Sequence, residues 1–321
     1  IVSCAIIGSV AGTCSAAVAA LSGLVIPEME KRGYKRGYAT GLLAVASVLG
    51  QLIPPSVPMI LYGFITMTSV TACFLSTVGP GILTIIIYCM VNYFMVRHDP
   101  MVYKAPPVDF KTQMKQVGRA SRHAFWALLM PVIILGGIYG GVFTPTEASA
   151  VAVCYALIVG MLIYREIKPR DVIGILRKSV MSSAVIMFII ANAGMFAFLI
   201  TRAGIPEAIG IWLKEVLQSP AYFLLGVNVA LFLIGMFIET GAAIIVLAPI
   251  LTPVAVYFGV DPVHFGLIMV VNLAMGMITP PFGVNLFAAC TVARISLDRM
   301  IKDLIPFVLV ILACLMVITY V

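Results

Sequence analysis

The sequence predicts an all-α integral membrane protein made of two inverted repeats, each pairing a re-entrant helical hairpin with a broken transmembrane helix. Three observations carry this reading: the apolar composition, an internal repeat, and the one-sided placement of the basic residues. Of 321 residues, 62% are hydrophobic and 10% charged, and the mean hydropathy is +1.13. A soluble chain of this length could not cover itself with so little charge. The apolar runs reach or exceed the about 20 residues a helix needs to cross a bilayer. They are continuous rather than alternating, so helices rather than a closed barrel satisfy the backbone's need for internal pairing in hydrocarbon.

After an opening region of residues 1–27, the spans read as 38–63, 70–96, 124–142, 146–164, 180–201, 221–256, 264–289 and 303–321. Residues 1–27 are interrupted by the small and hydroxyl residues Gly8 to Ser15. Residues 221–256 are too long for one crossing, too short for two, and broken at Glu239-Thr240-Gly241. Both read as hairpins that enter the membrane and turn back, a backbone tolerated there only when buried in protein or lining a wet cavity. Each is followed by a span with a proline pair, Pro54-Pro55 in 38–63 and Pro280-Pro281 in 264–289. Two consecutive prolines remove two donors and clash with the preceding turn, so both helices must break.

A shift of 226 residues superposes these features without a gap. Pro27 falls on Pro253, Gly33 on Gly259, Gly50 on Gly276, Pro54-Pro55 on Pro280-Pro281, and Thr13-Cys14-Ser15 on Glu239-Thr240-Gly241. Such self-similarity is the mark of a repeat. With re-entrant hairpins, an odd number of crossings (38–63, 70–96, 124–142, 146–164, 180–201) separates the two units, so they are inverted. One side then holds all of the 20 basic residues except Arg202 and Lys214, and the positive-inside rule makes that side cytoplasmic. The second hairpin is preceded by three spans and the first by none. By symmetry, about three further helices are expected before Ile1, where no initiating Met stands.

The organisation expected is therefore 1–63 and 221–289 as the transport elements of the two repeats. Residues 64–220 form scaffold and connecting helices with a cytoplasmic loop at 97–122, and 290–321 a C-terminal scaffold helix. Broken helices of this kind offer unpaired carbonyls to a small hard cation such as Na⁺, and unpaired N–H groups at a positive dipole end to an anion. No GxxxxGK[ST] motif occurs, so the energy source is an ion gradient rather than ATP. The net charge of +7 sits in short loops, which reads as membrane topology and not as a nucleic-acid face.

Three stretches also carry a family resemblance. They are IPEMEKRGYKRGYATGLLAVASVLGQLIPPSVPMILYG (26–63), GGIYGGVFTPTEASAVAVCYAL (136–157) and DPVHFGLIMVVNLAMGMITPPFGVNLFAA (261–289). With the rest of the chain, they resemble the large membrane subunit of tripartite ATP-independent periplasmic (TRAP) transporters of the bacterial inner membrane. The resemblance implies an elevator mechanism, Na⁺ coupling, no other cofactor, and no enzymatic activity. Its implied partners are a small membrane subunit, in some members fused upstream, and a soluble periplasmic binding protein. The implied cargo is an organic anion such as a dicarboxylate or sialic acid. By position in the repeats, one sodium site falls on Thr13, Ser15, Gly50, Ile53, Pro54 and Ser56, and a second on Thr240, Gly241, Gly276, Thr279 and Pro280. The substrate is expected between them, near Ser9, Pro55, Ser56, Glu239, Phe282 and Asn285. The family pattern often has Asp-Pro at the second tip, where this chain has Glu239-Thr240.

Several residues read as structural. Thr144-Pro145-Thr146-Glu147 has the form of a capped helix start. Asn92, Asn192, Asn228 and Asn272 suit interhelical hydrogen bonds, and the seven scattered cysteines suit small core positions. His98, His123 and His264 read as solvated. Pro206–Gln218 reads as an amphipathic helix on the external interface, with loop 97–122 its cytoplasmic analogue around Phe110, Met114 and Val117. Rival functions are weaker. An intramembrane enzyme needs a compact catalytic set that is not visible here, and a channel needs no inverted repeat about a central site. A symporter of similar fold that works without a binding protein is the nearest alternative.

Overall fold

A computed structural model describes residues 1–97, 102, 109–217 and 219–321, and among these every regular element is helical. His98, Gln218 and the side chains of Phe110 and His123 lie outside the description. Two compact units emerge, one from residues 1–102 with 189–321 and one from residues 103–188.

The first unit opens with α1 (Val2–Ala11) and α2 (Cys14–Lys31), joined through Gly12 and Thr13. Gly12 takes φ 68°, a left-handed cap suited to glycine, and Thr13 is extended. Next come α3 (Arg36–Ala46), the short α4 (Leu49–Leu52), α5 (Val57–Thr66) and α6 (Val70–Val96). The second unit holds α7 (Phe110–Tyr139), α8 (Pro145–Ile158), which continues into a π-helical turn at Val159–Ile163, and the start of α9 (Pro169–Arg202). The first unit then resumes with the rest of α9, α10 (Ile205–Leu217), α11 (Pro220–Gly235), α12 (Thr240–Tyr257), α13 (Pro262–Gly276), α14 (Val284–Ala293) and α15 (Asp298–Tyr320). Among the described residues six helices are long and apolar enough to cross a membrane, or up to eight if each of two bent pairs is one span.

The expected repeat is present in the helix boundaries. α2 and α12 are each 18 residues long and start at Cys14 and Thr240, while α3 and α13 start at Arg36 and Pro262. Gly33 and Gly259 adopt φ 85° and 80°, and both proline pairs, Pro54-Pro55 and Pro280-Pro281, carry cis peptides. The tips differ from the sequence reading in detail. Gly8 and Ser9 remain helical in α1, and the second tip is Met236–Glu239, so Thr240 and Gly241 already belong to α12.

Packing repeats in plan, with Gly235 one position beyond the residue that the 226-residue shift gives for Gly8. A Cβ on Gly8 would lie 2.6 Å from Gly50 Cα, and one on Gly276 would lie 2.4 Å from Gly235 C and 2.6 Å from its Cα. The first arm of each pair therefore meets its own broken helix backbone to backbone. The second arms cross over: α2 packs on α14, and α12 packs on α5. Gln51 and Met277, which the 226-residue shift superposes, touch each other through Nε2 and Sδ at 3.9 Å.

One break was not legible. The span 38–63 is interrupted at Ser47–Val48 as well as at the prolines. Asn285 Nδ2 donates to Ala44 O at 3.1 Å and the Ser47 hydroxyl donates to the same carbonyl. Val48 N–H is left to bond Val45 O instead, as expected where a side chain intrudes on the helical ladder. The capping box at Thr144 is as read: Thr144 Oγ1 accepts from Glu147 N–H, and Glu147 Oε2 accepts from Thr144 N–H at 2.8 Å. His264 is not simply solvated. It is half-buried, with Nε2 2.8 Å from Ile318 O. Asn228, Asn272 and Thr319 form a buried chain in which Asn272 Nδ2 donates to Asn228 Oδ1 and Asn228 Nδ2 to Thr319 Oγ1, linking α11, α13 and α15. Tyr38 donates to Asn92 Oδ1. Five cysteines are buried, but Cys89 is half-buried and Cys154 exposed, so the core reading fails for Cys154. Met114 and Val117 on α7 are exposed.

A side chain at the Gly235–Gly276 contact would have to displace backbone, and overpacking of that kind costs about 1–3 kcal/mol or more. Gly276→Val is expected to lower the thermal unfolding midpoint of the detergent-purified protein or prevent its assembly. Gly23→Ala on α2, whose Cβ meets nothing within 4 Å, should leave the midpoint unchanged or raise it.

Candidate functional site

The site is built where each helix breaks. In a continuous helix the carbonyls of Gly50 and Gln51 would receive the N–H groups of residues 54 and 55, but both are prolines and have none. The chain instead runs extended at Ile53 (φ −96°, ψ 121°) and again at Ser56 before α5 begins. The first tip lies directly on this segment. Val57 N–H donates to Gly12 O at 3.2 Å, and Thr13 O lies 3.1 Å from the position a Gly50 Cβ would occupy. Ser56 is at the N-cap of α5, yet its hydroxyl makes no capping bond. It is fully buried and without a partner among the described residues. Ser15, by contrast, is exposed on α2, Pro54 is buried, and Pro55 is half-buried.

The second break has the same plan with different contacts. Gly283 N–H donates to Met236 O at the tip, and Met277 O accepts from Asn285 N–H at 3.1 Å. Gly276 O accepts from Thr279 N–H. The hydroxyls of Thr240 and Thr279 are buried and donate to Met277 Sδ (2.9 Å) and Met275 O (2.9 Å). A hydroxyl that gives its proton away keeps its oxygen lone pairs free to face a cation. Gly241 is pressed between Leu61 and the Glu239 carboxylate, and Pro280 is half-buried.

The six residues expected around substrate do not share one environment. Ser9 is buried and its hydroxyl donates to Ile6 O at 2.7 Å. Asn285 is fully buried, and its amide nitrogen is occupied by Ala44 O and Ser47 Oγ. Glu239 is exposed at the second tip and Phe282 in the second break, where its ring lies 5.2 Å from that of Phe237. Glu239 Oε2 accepts from Ala242 N–H, so this acidic residue caps α12. Gln51 and Met277 escaped the sequence reading. The signal available was their equivalence under the 226-residue shift; the structure brings them into contact.

Three oxygens of the broken segments are buried without a partner: Gln51 Oε1, Ser56 Oγ and Asn285 Oδ1. Each such group costs about 1–3 kcal/mol if nothing satisfies it. They are neutral, as are the other donors here. Among the described residues no group of three or more His, Cys, Asp or Glu could hold a metal ion. The chemistry on offer is that of neutral hydroxyl, amide and carbonyl oxygens, the set with which unwound transporter helices hold Na⁺.

Comparison with known proteins adds a separate line of evidence. The family model described as "Tripartite ATP-independent periplasmic transporter, DctM component" matches residues 1–321. The C4-dicarboxylate TRAP transporter large permease protein DctM of Pseudomonas aeruginosa is 40% identical over 321 residues, covering 100% of this chain and 74% of that protein. The sialic acid TRAP transporter large permease protein SiaM of Vibrio cholerae is 35% identical over 295 residues, 92% of this chain and 68% of that protein. The isethionate TRAP transporter permease protein DctMQ of Oleidesulfovibrio alaskensis is 38% identical over 318 residues, 99% of this chain and 49% of that protein.

Because the Asn285 amide is committed to the α3 kink, Asn285→Ala is expected to destabilise the protein by about 1–3 kcal/mol in buffer free of sodium and substrate. Chemical denaturation in detergent reads this. A residue serving substrate alone would leave ligand-free stability unchanged.

Proposed function

The chain belongs to the DctM-component family of tripartite ATP-independent periplasmic transporters, and from that premise we propose that it is the substrate-translocating membrane subunit of a sodium-coupled importer of a small organic anion. Its family is one of transporter permeases rather than enzymes. The observation that carries the coupling reading is the pair of breaks, each with a helix-pair junction laid against it and buried hydroxyls beside it, Ser56 at the first and Thr240 and Thr279 at the second. Ser56 supports it most directly, because its hydroxyl is buried, unpartnered, and unused at the N-cap where it stands.

In this reading one sodium ion sits on Thr13 O, the Gly50, Ile53 and Pro54 backbone and Ser56 Oγ. A second sits on Thr240, Gly241, Gly276, Thr279 and Pro280. Ser15, exposed on α2, contributes less than its position suggested. The two helix pairs α1–α2 and α11–α12 act as re-entrant hairpins, and the repeats are inverted, with the basic loops cytoplasmic. The anion lies between the breaks, toward Pro55 and Ser56, the exposed Glu239 at the second tip and Phe282 in the second break. Binding sodium first neutralises the field of the converging carbonyls and orders both tips, which favours the anion; the loaded core then moves as a body against the remaining helices. The relatives named for C4-dicarboxylates and sialic acid point to a carboxylate. A small membrane subunit is a natural partner, the DctMQ relative joining such components by name. A periplasmic binding protein delivers the substrate.

Uptake of labelled C4-dicarboxylates and sialic acid into proteoliposomes holding the whole membrane component tests this. Uptake is expected only with an inward Na⁺ gradient and added binding protein. Ser56→Ala is expected to raise the sodium concentration for half-maximal uptake about tenfold or more, the equivalent of one lost charge-assisted contact. Uptake indifferent to sodium would overturn the coupling, and uptake indifferent to the binding protein would favour a stand-alone symporter.

A further inference from the structure

Met277 joins the two breaks through its side chain and its carbonyl at once. Its sulfur accepts from Thr240 Oγ1 at 2.9 Å and from Gln51 Nε2 at 3.9 Å. Its carbonyl accepts from Asn285 N–H at 3.1 Å. The Asn285 amide nitrogen in turn donates to Ser47 Oγ, and Ser47 O accepts from Gly50 N–H at 2.9 Å. Two routes therefore run from Met277 to the last turn before the first break, one through Gln51 and one through Asn285 and Ser47.

The chemistry of the sulfur decides how its neighbours face. A thioether accepts weakly and has no proton to give. Thr240 therefore turns its O–H toward the sulfur, and Gln51 turns its NH₂. The lone pairs of Thr240 Oγ1 stay free, and Gln51 Oε1 is buried with no partner among the described residues. Other buried threonines direct the proton into their own helix: Thr40, Thr84 and Thr319 each donate to the carbonyl four residues back. Thr240 is the first residue of α12 and has no helical turn behind it. Its hydroxyl is oriented instead by a residue 37 positions away.

The repeat does not impose this arrangement. Under the 226-residue shift Thr240 answers to Cys14, Asn285 to Met59 and Ser47 to Leu273. The Asn285–Ser47 pair thus has two apolar residues as its counterpart, and the Thr240 hydroxyl has a thiol. These polar ties belong to the side chains at hand and not to the architecture.

We propose that Met277 is the positioning residue through which the two ion sites cooperate, an inference that rests on the two-sodium reading above. Thr240 and Gly276 belong to the second site and Gly50 to the first, and Gly276 and Gly50 directly precede Met277 and Gln51 in the chain. An ion held by Thr240 and Gly276 fixes Met277. A fixed Met277 fixes Gln51 and Ser47, and with them the Gly50 carbonyl. The first ion to bind orders this set of contacts, so the second meets less of the ordering cost. Linkage makes the effect equal in both directions.

The test is binding of radioactive sodium to the detergent-purified whole membrane component, titrated at constant ionic strength. The wild type is expected to bind with a Hill coefficient of about 1.4 or more, as about fivefold coupling of two equal sites produces. Met277→Leu keeps the volume and removes the sulfur acceptor. It should bring the coefficient to about 1 while sodium still binds. Gln51→Leu cuts one of the two routes and should lower the coefficient part of the way, a second test should Met277→Leu fail to assemble. The double variant should fall no lower than Met277→Leu alone, because both act on one contact. Met269→Leu, at another fully buried methionine of α13, should match the wild type. A wild-type coefficient of about 1, or a wild-type coefficient retained in Met277→Leu or Gln51→Leu, would overturn the cooperative role and leave the sodium sites standing. A wild type that binds no sodium would overturn the sites themselves, and this role with them.

Discussion

The structure depends on two places where backbone meets backbone without side chains between them, Gly8 on Gly50 and Gly235 on Gly276. At each, the first arm of a helix pair is held against the last helical turn before a proline break. That approach brings the tips onto the broken segments, so that Gly12 O receives Val57 N–H and Met236 O receives Gly283 N–H. Without it the breaks would face lipid with unpaired carbonyls, a cost of several kcal/mol per group. The crossed packing of α2 on α14 and α12 on α5 then locks each repeat into the other. Packing of small residues is the expected means of such close approach in hydrocarbon, where no hydrophobic force drives helices together.

Much of this was legible because prolines and glycines act through local covalent geometry. A proline pair cannot be accommodated in a helix, whatever surrounds it, and both breaks lie where Pro54-Pro55 and Pro280-Pro281 place them. The 226-residue offset was readable for the same reason, since its matched residues are the ones with fixed backbone roles. Thr144 and Glu147 cap a helix start through bonds three residues apart, and local sequence contains all the information needed.

What was missed depends on residues distant in sequence. The kink at Ser47–Val48 comes from Asn285, and nothing near residue 47 announces it. The contact of His264 with Ile318 O joins two helices whose adjacency only the fold defines. Ser9, Glu239, Phe282 and Asn285 looked alike in sequence, as polar or aromatic residues near a break. Burial and existing hydrogen bonds separate them into two packed residues and two exposed ones. Residues at the second tip were displaced by two or three positions, because a helix end frays or extends according to its cap, and Glu239 supplies that cap.

The two breaks are equivalent in plan and unequal in chemistry. The second has Met277 O and Gly276 O already receiving N–H groups, whereas the first has a free Ser56 hydroxyl and two carbonyls deprived of helical donors by proline. On this account the first break is the more dependent on an ion for its stability. Thermal unfolding of the detergent-purified membrane component, followed as sodium chloride replaces choline chloride at constant ionic strength, measures that dependence directly. The account predicts a midpoint that rises with sodium as a ligand binding only the folded state requires, and a smaller rise in Ser56→Ala. A midpoint unmoved by sodium, or moved equally by potassium, would contradict it.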